Sequence, residues 1–234
     1  MKLAVMQPYL FPYIGYFQLM NAVDEFVVYD NIEFSKKGWI NRNRILVNGK
    51  DVHISASLKK DSDYLDIRNR ILADTWPAER KKMLNRITES YKKSRFFESA
   101  YPVLEKAVLF EENNLFKFIF HSLQLVREYL NIVTPFIVSS SIKIDHTLKA
   151  EEKIIEICKE RNATIYLNAI GGMELYDKTN FNKENIDLYF IKTADIVYPQ
   201  FNNKFVPNLS IIDVMMFNSK AIISAYLQSY YTLL

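Results

Sequence analysis

Cysteine and glycine are scarce in this chain of 234 residues. Cys158 is its one cysteine, so no intramolecular disulfide can form, which is typical of proteins from a reducing compartment. Five glycines are present, where average usage of about 7% would give roughly 16. This shortage excludes collagenous, linker-rich and glycine-rich β-repeat folds.

Long apolar runs and a large excess of one charge are also missing. No apolar run approaches the roughly 18 residues that indicate a membrane-spanning helix, and the first residues lack the apolar stretch and cleavage site of a signal peptide. The formal net charge of +3 is too small to indicate a nucleic-acid-binding protein. We therefore expect a cytoplasmic protein that neither spans a membrane nor binds nucleic acid.

The sequence lacks the common signatures of catalysis. His53, His121 and His146 share no metal-ligand spacing, so we expect no metal site. No phosphate-binding loop of the Walker or Gly-x-Gly type occurs, and no Gly-x-Ser-x-Gly elbow. No cofactor is evident. Any acid or base must be a carboxylate or a tyrosine, unless the reaction proceeds by positioning alone.

The chain begins with a pattern typical of a βαβ unit. Residues 2–6 form an apolar strand that stops at Gln7-Pro8, residues 14–23 form a helix, and residues 25–30 form a second strand. This order predicts parallel strands and an α/β fold. We therefore expect a Rossmann-like, mostly parallel sheet with ligands at the carboxyl ends of its strands.

The rest of the chain continues this pattern around a helical segment. Asn48-Gly49 within 44–58 predicts a hairpin, and residues 76–131 are helical. We expect the latter to be an insertion in a single domain over 1–234, with a small separate lobe as the alternative, because strands resume afterwards. The later predicted elements are strands at 136–140, 164–168 and 186–191, a helix at 147–161 and a C-terminal helix at 209–231.

The segment between the first strand and the first helix is the leading candidate for a binding site. Its glutamine amide and tyrosine hydroxyls are polar groups that can orient a ligand, and its glycine allows close approach of the backbone. The alternative is a rigid aromatic turn that fills the core. The candidates are Gln7, Tyr9, Tyr13, Gly15 and Tyr16, of which Tyr13 is a candidate catalytic residue.

A basic and aromatic stretch follows the second strand. Its alternating arginine and asparagine side chains suit a phosphate, carboxylate or nucleotide, and its tryptophan could stack on a base or sugar. The alternatives are a solvated charged face and a tryptophan of the core. The substrate-binding candidates here are Trp39, Asn41, Arg42, Asn43 and Arg44.

Two later stretches supply further candidates. The pair Gly171-Gly172 follows the predicted strand at 164–168, either as a plain turn or as part of a site that includes Asn168 and Tyr176. Gln200 lies in a polar loop, and Asp213 either contributes to the site or falls in the first turn of the last helix. Asp30, at the end of the second strand, is the candidate base.

Long strings of this sequence resemble the WbqC-like family, whose members occur in gene clusters for O-antigen and other surface polysaccharides. The strings are MQPYLFPYIGYFQLMNAVDEFVVYDNIEFSKKGWINRNRI, IYLNAIGGMELYD and LSIIDVMMFN. The resemblance implies a transferase that moves an acyl or aminoacyl group, from an unidentified donor, to a nucleotide-linked amino sugar. It also implies site roles for Gln7, Tyr9, Gly15, Asp30, Trp39, Asn41, Arg42, Asn43, Gly171, Gly172, Gln200 and Asp213.

Two alternative functions stay open. The start of the chain is similar to the nucleotidyltransferase-like fold, but Tyr13-Ile14-Gly15-Tyr16 stands where that fold carries His-x-Gly-His, so both histidines are missing. Arg42, Arg44 or Lys37 would then have to supply the positive charge. The other alternative is a non-catalytic sugar-binding or scaffold protein that docks enzymes of the same pathway, which the aromatic excess would suit.

Overall fold

A six-stranded sheet forms the centre of this computed structural model, which describes residues 1–62 and 64–234. The sheet order is β5-β2-β1-β6-β7-β8, and all neighbouring strands are parallel except β7 and β8. A separate antiparallel hairpin consists of β3 and β4. The strands are β1 (Lys2–Met6), β2 (Glu25–Val28), β3 (Arg42–Val47), β4 (Lys50–Ser55), β5 (Phe136–Val138), β6 (Ile165–Ala169), β7 (Asp187–Thr193) and β8 (Tyr231–Leu233).

The strand order confirms the predicted fold class. With the hairpin left out, the sheet follows the Rossmann order 3-2-1-4-5-6. The strands that precede β6 extend the sheet to one side of β1, and β6 and the later strands extend it to the other side. β1 pairs with β6 at Lys2 and Leu3, whereas its pairing with β2 continues to Met6. The carboxyl ends of β1 and β6 therefore lie at the switch point, where open α/β sheets bind ligands.

Helices cover both faces of the sheet, and side chains alternate between two cores. Ala4 of β1 packs with the larger core, while its neighbours Leu3 and Val5 pack with the smaller one, as the period of two in a strand requires. The larger core also contains buried side chains of α1–α4, α7 and α8, and the smaller one those of α5 and α6. The helices are α1 (Ile14–Asn21), α2 (Trp76–Tyr91), α3 (Phe97–Val108), α4 (Leu115–Tyr129), α5 (Ala150–Glu160), α6 (Lys178–Lys183), α7 (Ile211–Phe217) and α8 (Lys220–Ser229).

The chain between β2 and β5 contains the hairpin and the helices α2, α3 and α4. Asn48 and Gly49 both have positive φ, at 50° and 75°, as a two-residue hairpin turn requires. The predicted hairpin is thereby confirmed. Buried side chains of α2–α4 pack in the same core as α1, which is the arrangement expected of an insertion. The division into domains stays a prediction.

The C-terminal helical segment is interrupted, and its last residues form a strand. Asn218 is extended, and the Ser219 side chain accepts a hydrogen bond from the Ile222 amide at the start of α8. A serine cap of this kind begins a new helix. The prediction of one continuous helix over 209–231 is therefore wrong at Asn218 and Ser219. Among the helices of the described residues, none is both long and apolar enough to cross a lipid bilayer.

Candidate functional site

The turn that follows β1 is held in place by the hairpin and by the start of α7. The Asn43 amide donates to the carbonyls of Leu10 and Phe11 at 3.1 and 2.7 Å, and the Ser210 hydroxyl donates to the Phe11 carbonyl at 2.7 Å. Phe11 has a φ of 43°, which is uncommon for a bulky residue. These hydrogen bonds keep a strained turn in one conformation at the carboxyl end of β1.

Gln7 is surrounded by tyrosines of the same segment. The Tyr16 hydroxyl donates to the Gln7 carbonyl at 3.0 Å, and the Tyr9 hydroxyl lies 3.4 Å from Gln7 Oε1. Tyr16 is buried, whereas Gln7 and Tyr9 are half-buried. Burial raises the pKa of Tyr9 and of Tyr16, so both phenols stay protonated at neutral pH and act as hydrogen-bond donors.

Gly15 allows the ring of Tyr13 to lie across the first turn of α1. A Cβ atom at Gly15 would lie 2.4 Å from Tyr13 Cε2 and 2.5 Å from Thr193 Oγ1. Burial raises the pKa of Tyr13, and a hydrogen bond with Thr193 opposes that shift. Gly15 is therefore required for the contact between Tyr13 and the end of β7.

Alanine at Gly15 should displace the Tyr13 ring and lower the free energy of unfolding by about 1–3 kcal/mol, because the added methyl overpacks this contact. Gly171→Ala is the matched control, since a Cβ there meets nothing within 4 Å, and it should change stability by less than about 0.5 kcal/mol. Urea unfolding measures both. An equal loss in a Tyr13→Ala background would show that the Tyr13 contact is not the cause.

A cavity of about 320 Å³ lies between this turn and the hairpin. Residues from two separate segments of the sequence line it, together with one residue that precedes α7. Five of them are candidates predicted from the sequence, whereas Pro12 and Asn208 are additions from the structure. The lining residues are Tyr9, Pro12, Tyr13, Trp39, Asn43, Arg44 and Asn208.

Trp39 and Arg44 give this cavity an aromatic face and a cation. The Trp39 ring is 39% exposed and stacks on His53, with centroids 5.9 Å apart. The Arg44 guanidinium lies 5.4 Å from the Trp39 centroid, pairs with Asp51 at 3.0 Å and donates to the Asn208 carbonyl at 3.4 Å. Arg44 Nε is buried and has no hydrogen-bond partner in the part of the chain that the structure describes.

A second cavity, of about 390 Å³, shares Tyr13 and Asn208 with the first. It follows the loop after β7, where Thr193 and Asp195 line it. The Asp195 carboxylate is exposed and has no hydrogen-bond or ion-pair partner among the described residues. We call the two cavities together the strand-end groove; sequence reasoning missed Thr193, Asp195 and Asn208.

Asn41 and Arg42 line a different cavity, of about 400 Å³. Arg42 donates through Nε to the Gly38 carbonyl at 3.0 Å and through a terminal nitrogen to the Lys37 carbonyl at 2.8 Å. The Asn41 amide donates to the Ala56 carbonyl at 2.9 Å. These two candidates therefore support the loop before β3 and its pairing with β4, and they are not among the residues that line the strand-end groove.

The glycine pair and its neighbours form a short turn of 3-10 helix, Ile170–Leu175, after β6. Gly172 is buried against the Asn168 amide, where a Cβ would lie 2.4 Å from Nδ2, while Gly171 is exposed. Asn168 accepts a hydrogen bond from the Ala169 amide at 2.8 Å. Tyr176 lines a third cavity, on the α5 side of the sheet. The structure therefore does not bring the glycine pair to the groove.

Gln200 and Asp213 belong to a buried hydrogen-bond network. The hydroxyls of Tyr91 and Tyr198 each donate to the Asp213 carboxylate at 2.8 Å, and the Gln200 amide donates to it at 2.7 Å. The Tyr91 hydroxyl in turn accepts from the Leu46 amide at 2.8 Å. Burial raises the pKa of Asp213, although the three donors oppose that shift. The network joins α2, β3, α7 and the loop before α7.

Asp30 connects the carboxyl ends of β2 and β5. Its carboxylate lies within 2.7–2.9 Å of the Ser139 hydroxyl, the Ser140 amide and the Ser140 hydroxyl. Asp30 is buried and is not among the residues that line the strand-end groove. Both carboxylate oxygens are thus used within the protein, and the role of Asp30 as a base stays a prediction.

Two further kinds of chemistry, metal binding and thiol catalysis, depend on the placement of a few side-chain types. No group of three or more His, Cys, Asp or Glu side chains that could hold a metal ion occurs within residues 1–62 and 64–234. Cys158 is buried in the smaller core, and burial raises its pKa to about 12. A thiol with so high a pKa is a poor nucleophile at neutral pH.

The strand order and the groove at the strand ends define the chain as a Rossmann-like α/β protein with a candidate site at the carboxyl edge of its sheet. Within that class it belongs to the WbqC-like protein family, whose model matches residues 7–225. It is also similar to a Mycobacterium tuberculosis protein described as "Uncharacterized protein Rv1507c", at 27% identity over 231 residues and 97% of each chain. No solved structure matches the chain significantly.

Proposed function

We propose that this protein is a transferase of surface-polysaccharide biosynthesis that acts on a nucleotide-linked amino sugar in the strand-end groove. The observation that carries the proposal is that Tyr9 and Tyr13 line the same cavity as Trp39, Asn43 and Arg44. Helix α1 and strand β2 separate these two sets of residues in the sequence. Aromatic faces beside a cation suit a ligand that carries both a ring system and a phosphate.

Arg44 is the group that would bind the phosphate. Its pairing with Asp51 is between partly exposed side chains, and such pairs contribute only about 0–1 kcal/mol. A phosphate can therefore replace Asp51 or add to it at the Arg44 guanidinium. Trp39 would stack on the base or sugar, while Asn43 holds the turn and contributes surface.

The transfer step would take place where the two cavities of the groove meet. The amino group of the sugar attacks the acyl carbon, the bond from that carbon to the donor breaks, and the amine loses a proton. Asp195 is the carboxylate in the groove that can accept this proton. Tyr13 lines both cavities and stays protonated because burial raises its pKa, so it would donate a hydrogen bond to the developing oxyanion.

Tryptophan fluorescence tests where the ligand binds. The chain has two tryptophans, of which Trp39 is 39% exposed in the groove and Trp76 is 2% exposed in the core. A nucleotide sugar that raises the melting temperature should also protect Trp39 from acrylamide quenching. Trp39→Phe removes this signal, leaving the unresponsive emission of Trp76. Thermal stabilisation without protection of Trp39 would place the ligand elsewhere and contradict the proposal.

A non-catalytic protein of the same pathway is the second candidate. It is favoured by the internal hydrogen bonds of Asp30, Gln200 and Asp213, since none of these polar groups faces the groove. If a panel of nucleotide sugars and acyl-coenzyme A leaves the melting temperature unchanged, while a pathway enzyme is retained on the immobilised protein, this candidate replaces the transferase. Nucleotidyl transfer is a further alternative, in which Arg44 would supply the charge.

A further inference from the structure

A cavity of about 660 Å³ lies at the same edge of the sheet as the strand-end groove, on the α5 side. Tyr29 and Asn31 follow β2, Tyr176 follows the turn after β6, and Lys153 lies in the first turn of α5. Tyr29 and Tyr176 pack against the smaller core, whereas Tyr9 of the groove packs against the larger one. The two sites share no lining residue.

Lys153 is the central feature of this cavity. Its side chain is 4% exposed, and its Nζ donates to the carbonyls of Asn31 at 3.3 Å and His146 at 3.5 Å. An ammonium has three N–H donors; besides the two carbonyls, Nζ faces the Tyr29 ring, whose centroid lies 5.2 Å away. No carboxylate among the described residues lies within ion-pair distance of it. A buried cation costs free energy unless it is paired, which indicates that an anion belongs in the cavity.

The start of α5 adds donors beside Lys153. Ala150 has a φ of 47°, and no side chain caps the first turn of this helix of 11 residues. Glu151 could serve the helix start, but its carboxylate accepts hydrogen bonds from the Asp177 amide and from Asn180 Nδ2. The first N–H groups of the helix are therefore available at the same cavity, where they favour negative charge.

The cavity also contains carboxylates and a histidine. Glu33 and Asp66 line it and are paired through their backbones; Asp66 contacts Arg68 at 3.3 Å, whereas the exposed Glu33 carboxylate has no partner among the described residues. His146 Nδ1 lies 2.9 Å from the Asn31 amide nitrogen, and its Nε2 lies 3.0 Å from the Ile142 carbonyl oxygen. The cavity thus offers sites for both an anion and a cation.

We propose that this cavity binds an α-amino acid with an apolar side chain. The carboxylate would pair with Lys153 and the first amides of α5, the ammonium would face Glu33 and Asp66, and the side chain would contact Ile32, Leu148 and Leu175 of the lining. Binding at this cavity goes beyond the function proposed above and does not depend on it. An aminoacyl group for transfer is one use of such a ligand.

Isothermal titration with L-leucine and two analogues tests the proposal. Isocaproate lacks the amino group of leucine, and isoamylamine lacks its carboxylate. The wild-type protein should bind L-leucine at least about tenfold more tightly than it binds isocaproate or isoamylamine, because each analogue loses one charge-assisted contact. The same comparison is made for other apolar amino acids, each with its own two analogues. The proposal is overturned if no amino acid binds. It is also overturned if isocaproate, which keeps the carboxylate, or inorganic phosphate binds as tightly as the amino acid does.

Variants of α5 locate the binding site. Lys153→Met keeps the length of the apolar stem and should weaken binding of the amino acid by about tenfold or more. Lys159→Met is the matched control, because Lys159 lies on the same helix but is exposed and paired with Glu156 and Glu184. Where Lys153→Met fails to fold, the exposed Glu33→Gln replaces it, with the same expected direction.

The amino-acid site and the transferase function are overturned by different results. Unchanged affinity in both Lys153→Met and Glu33→Gln overturns the amino-acid site, whatever the strand-end groove binds. Conversely, a Trp39 that does not respond to nucleotide sugars leaves a Lys153-dependent affinity for amino acids intact, because the two cavities have no residue in common.

Discussion

Replacing Asp213 with alanine should lower the free energy of unfolding by about 3–5 kcal/mol. The side chain is fully buried and accepts hydrogen bonds from Tyr91, Tyr198 and Gln200. Alanine leaves these three donors in the core without an acceptor and adds a small cavity, and the loss of one partner from a buried charged network costs this much. Urea unfolding followed by circular dichroism measures the change.

Two further variants identify the cause of that loss. Asp74→Ala removes an exposed carboxylate that pairs with Lys59, and it should change stability by less than about 1 kcal/mol. Asp213→Asn keeps the shape and one oxygen acceptor but does not titrate, so it should cost less than alanine. A loss for Asp213→Ala as small as that for Asp74→Ala would show that the network contributes little to stability.

The pH dependence of the asparagine variant has a defined sign. Burial raises the pKa of Asp213 in the folded protein above its ordinary value. A carboxyl with a higher pKa in the folded state stabilises the fold while it is protonated, and this contribution decreases as pH rises through the window between the unfolded and folded values. The stability advantage of wild type over Asp213→Asn should therefore decrease from about pH 4 upward, and an increase would contradict the raised pKa.

This network also explains why the groove has its shape. Asp213 in α7 holds Tyr198 and Gln200, and the Gln200 side chain exchanges two hydrogen bonds with the Val206 backbone. The loop between them and α7 carries Asn208, which lines both cavities. Gln200 and Asp213, which the sequence predicted to contact the ligand, thus position one wall of the groove from within the core.

The sequence allowed the fold class to be predicted because apolar periodicity depends on which face of an element is buried. The strands β1, β2 and β6 are largely buried and have clear apolar patterns, and the Asn48-Gly49 turn has a specific backbone requirement. β8 was missed because its three residues are half-buried to exposed and follow a helix without a glycine or proline. Its pairing with β7 depends on a tertiary contact that no local pattern encodes.

The site could be predicted only in part. Tyr9, Tyr13, Trp39, Asn43 and Arg44 line the groove. The rule that ligands bind at strand ends anticipates the two tyrosines, which follow β1. Thr193 and Asp195 were missed because β7 extends to Thr193, two residues beyond the predicted end of that strand.

The direction of polar side chains could not be predicted either. Asp30 and Gln200 are polar and near strand ends or loops, yet both satisfy buried partners. Side-chain polarity alone does not distinguish a group that faces a ligand from one that bonds the protein's own backbone.

Arg44→Ala should weaken binding of a nucleotide sugar by about 1.5–3 kcal/mol, or roughly 10- to 150-fold in Kd, because a charge-assisted hydrogen bond to phosphate is lost. Titration calorimetry measures the change. Arg44→Lys keeps the charge but loses the two-pronged donor geometry, so its affinity should lie between wild type and alanine. Lys50→Ala, an exposed cation at the start of β4, is the control and should bind as wild type does.

Replacing Arg42 distinguishes phosphate binding in the strand-end groove from binding in the cavity lined by Asn41 and Arg42. The guanidiniums of Arg42 and Arg44 both lie near the Trp39 ring, at 5.7 and 5.4 Å from its centroid, but they line different cavities. If phosphate binds in the strand-end groove, Arg44→Ala must lose more affinity than Arg42→Ala, whose guanidinium already donates to the carbonyls of Lys37 and Gly38. A larger loss of affinity in Arg42→Ala would place the ligand in the cavity lined by Asn41 and contradict the assignment of phosphate binding to Arg44.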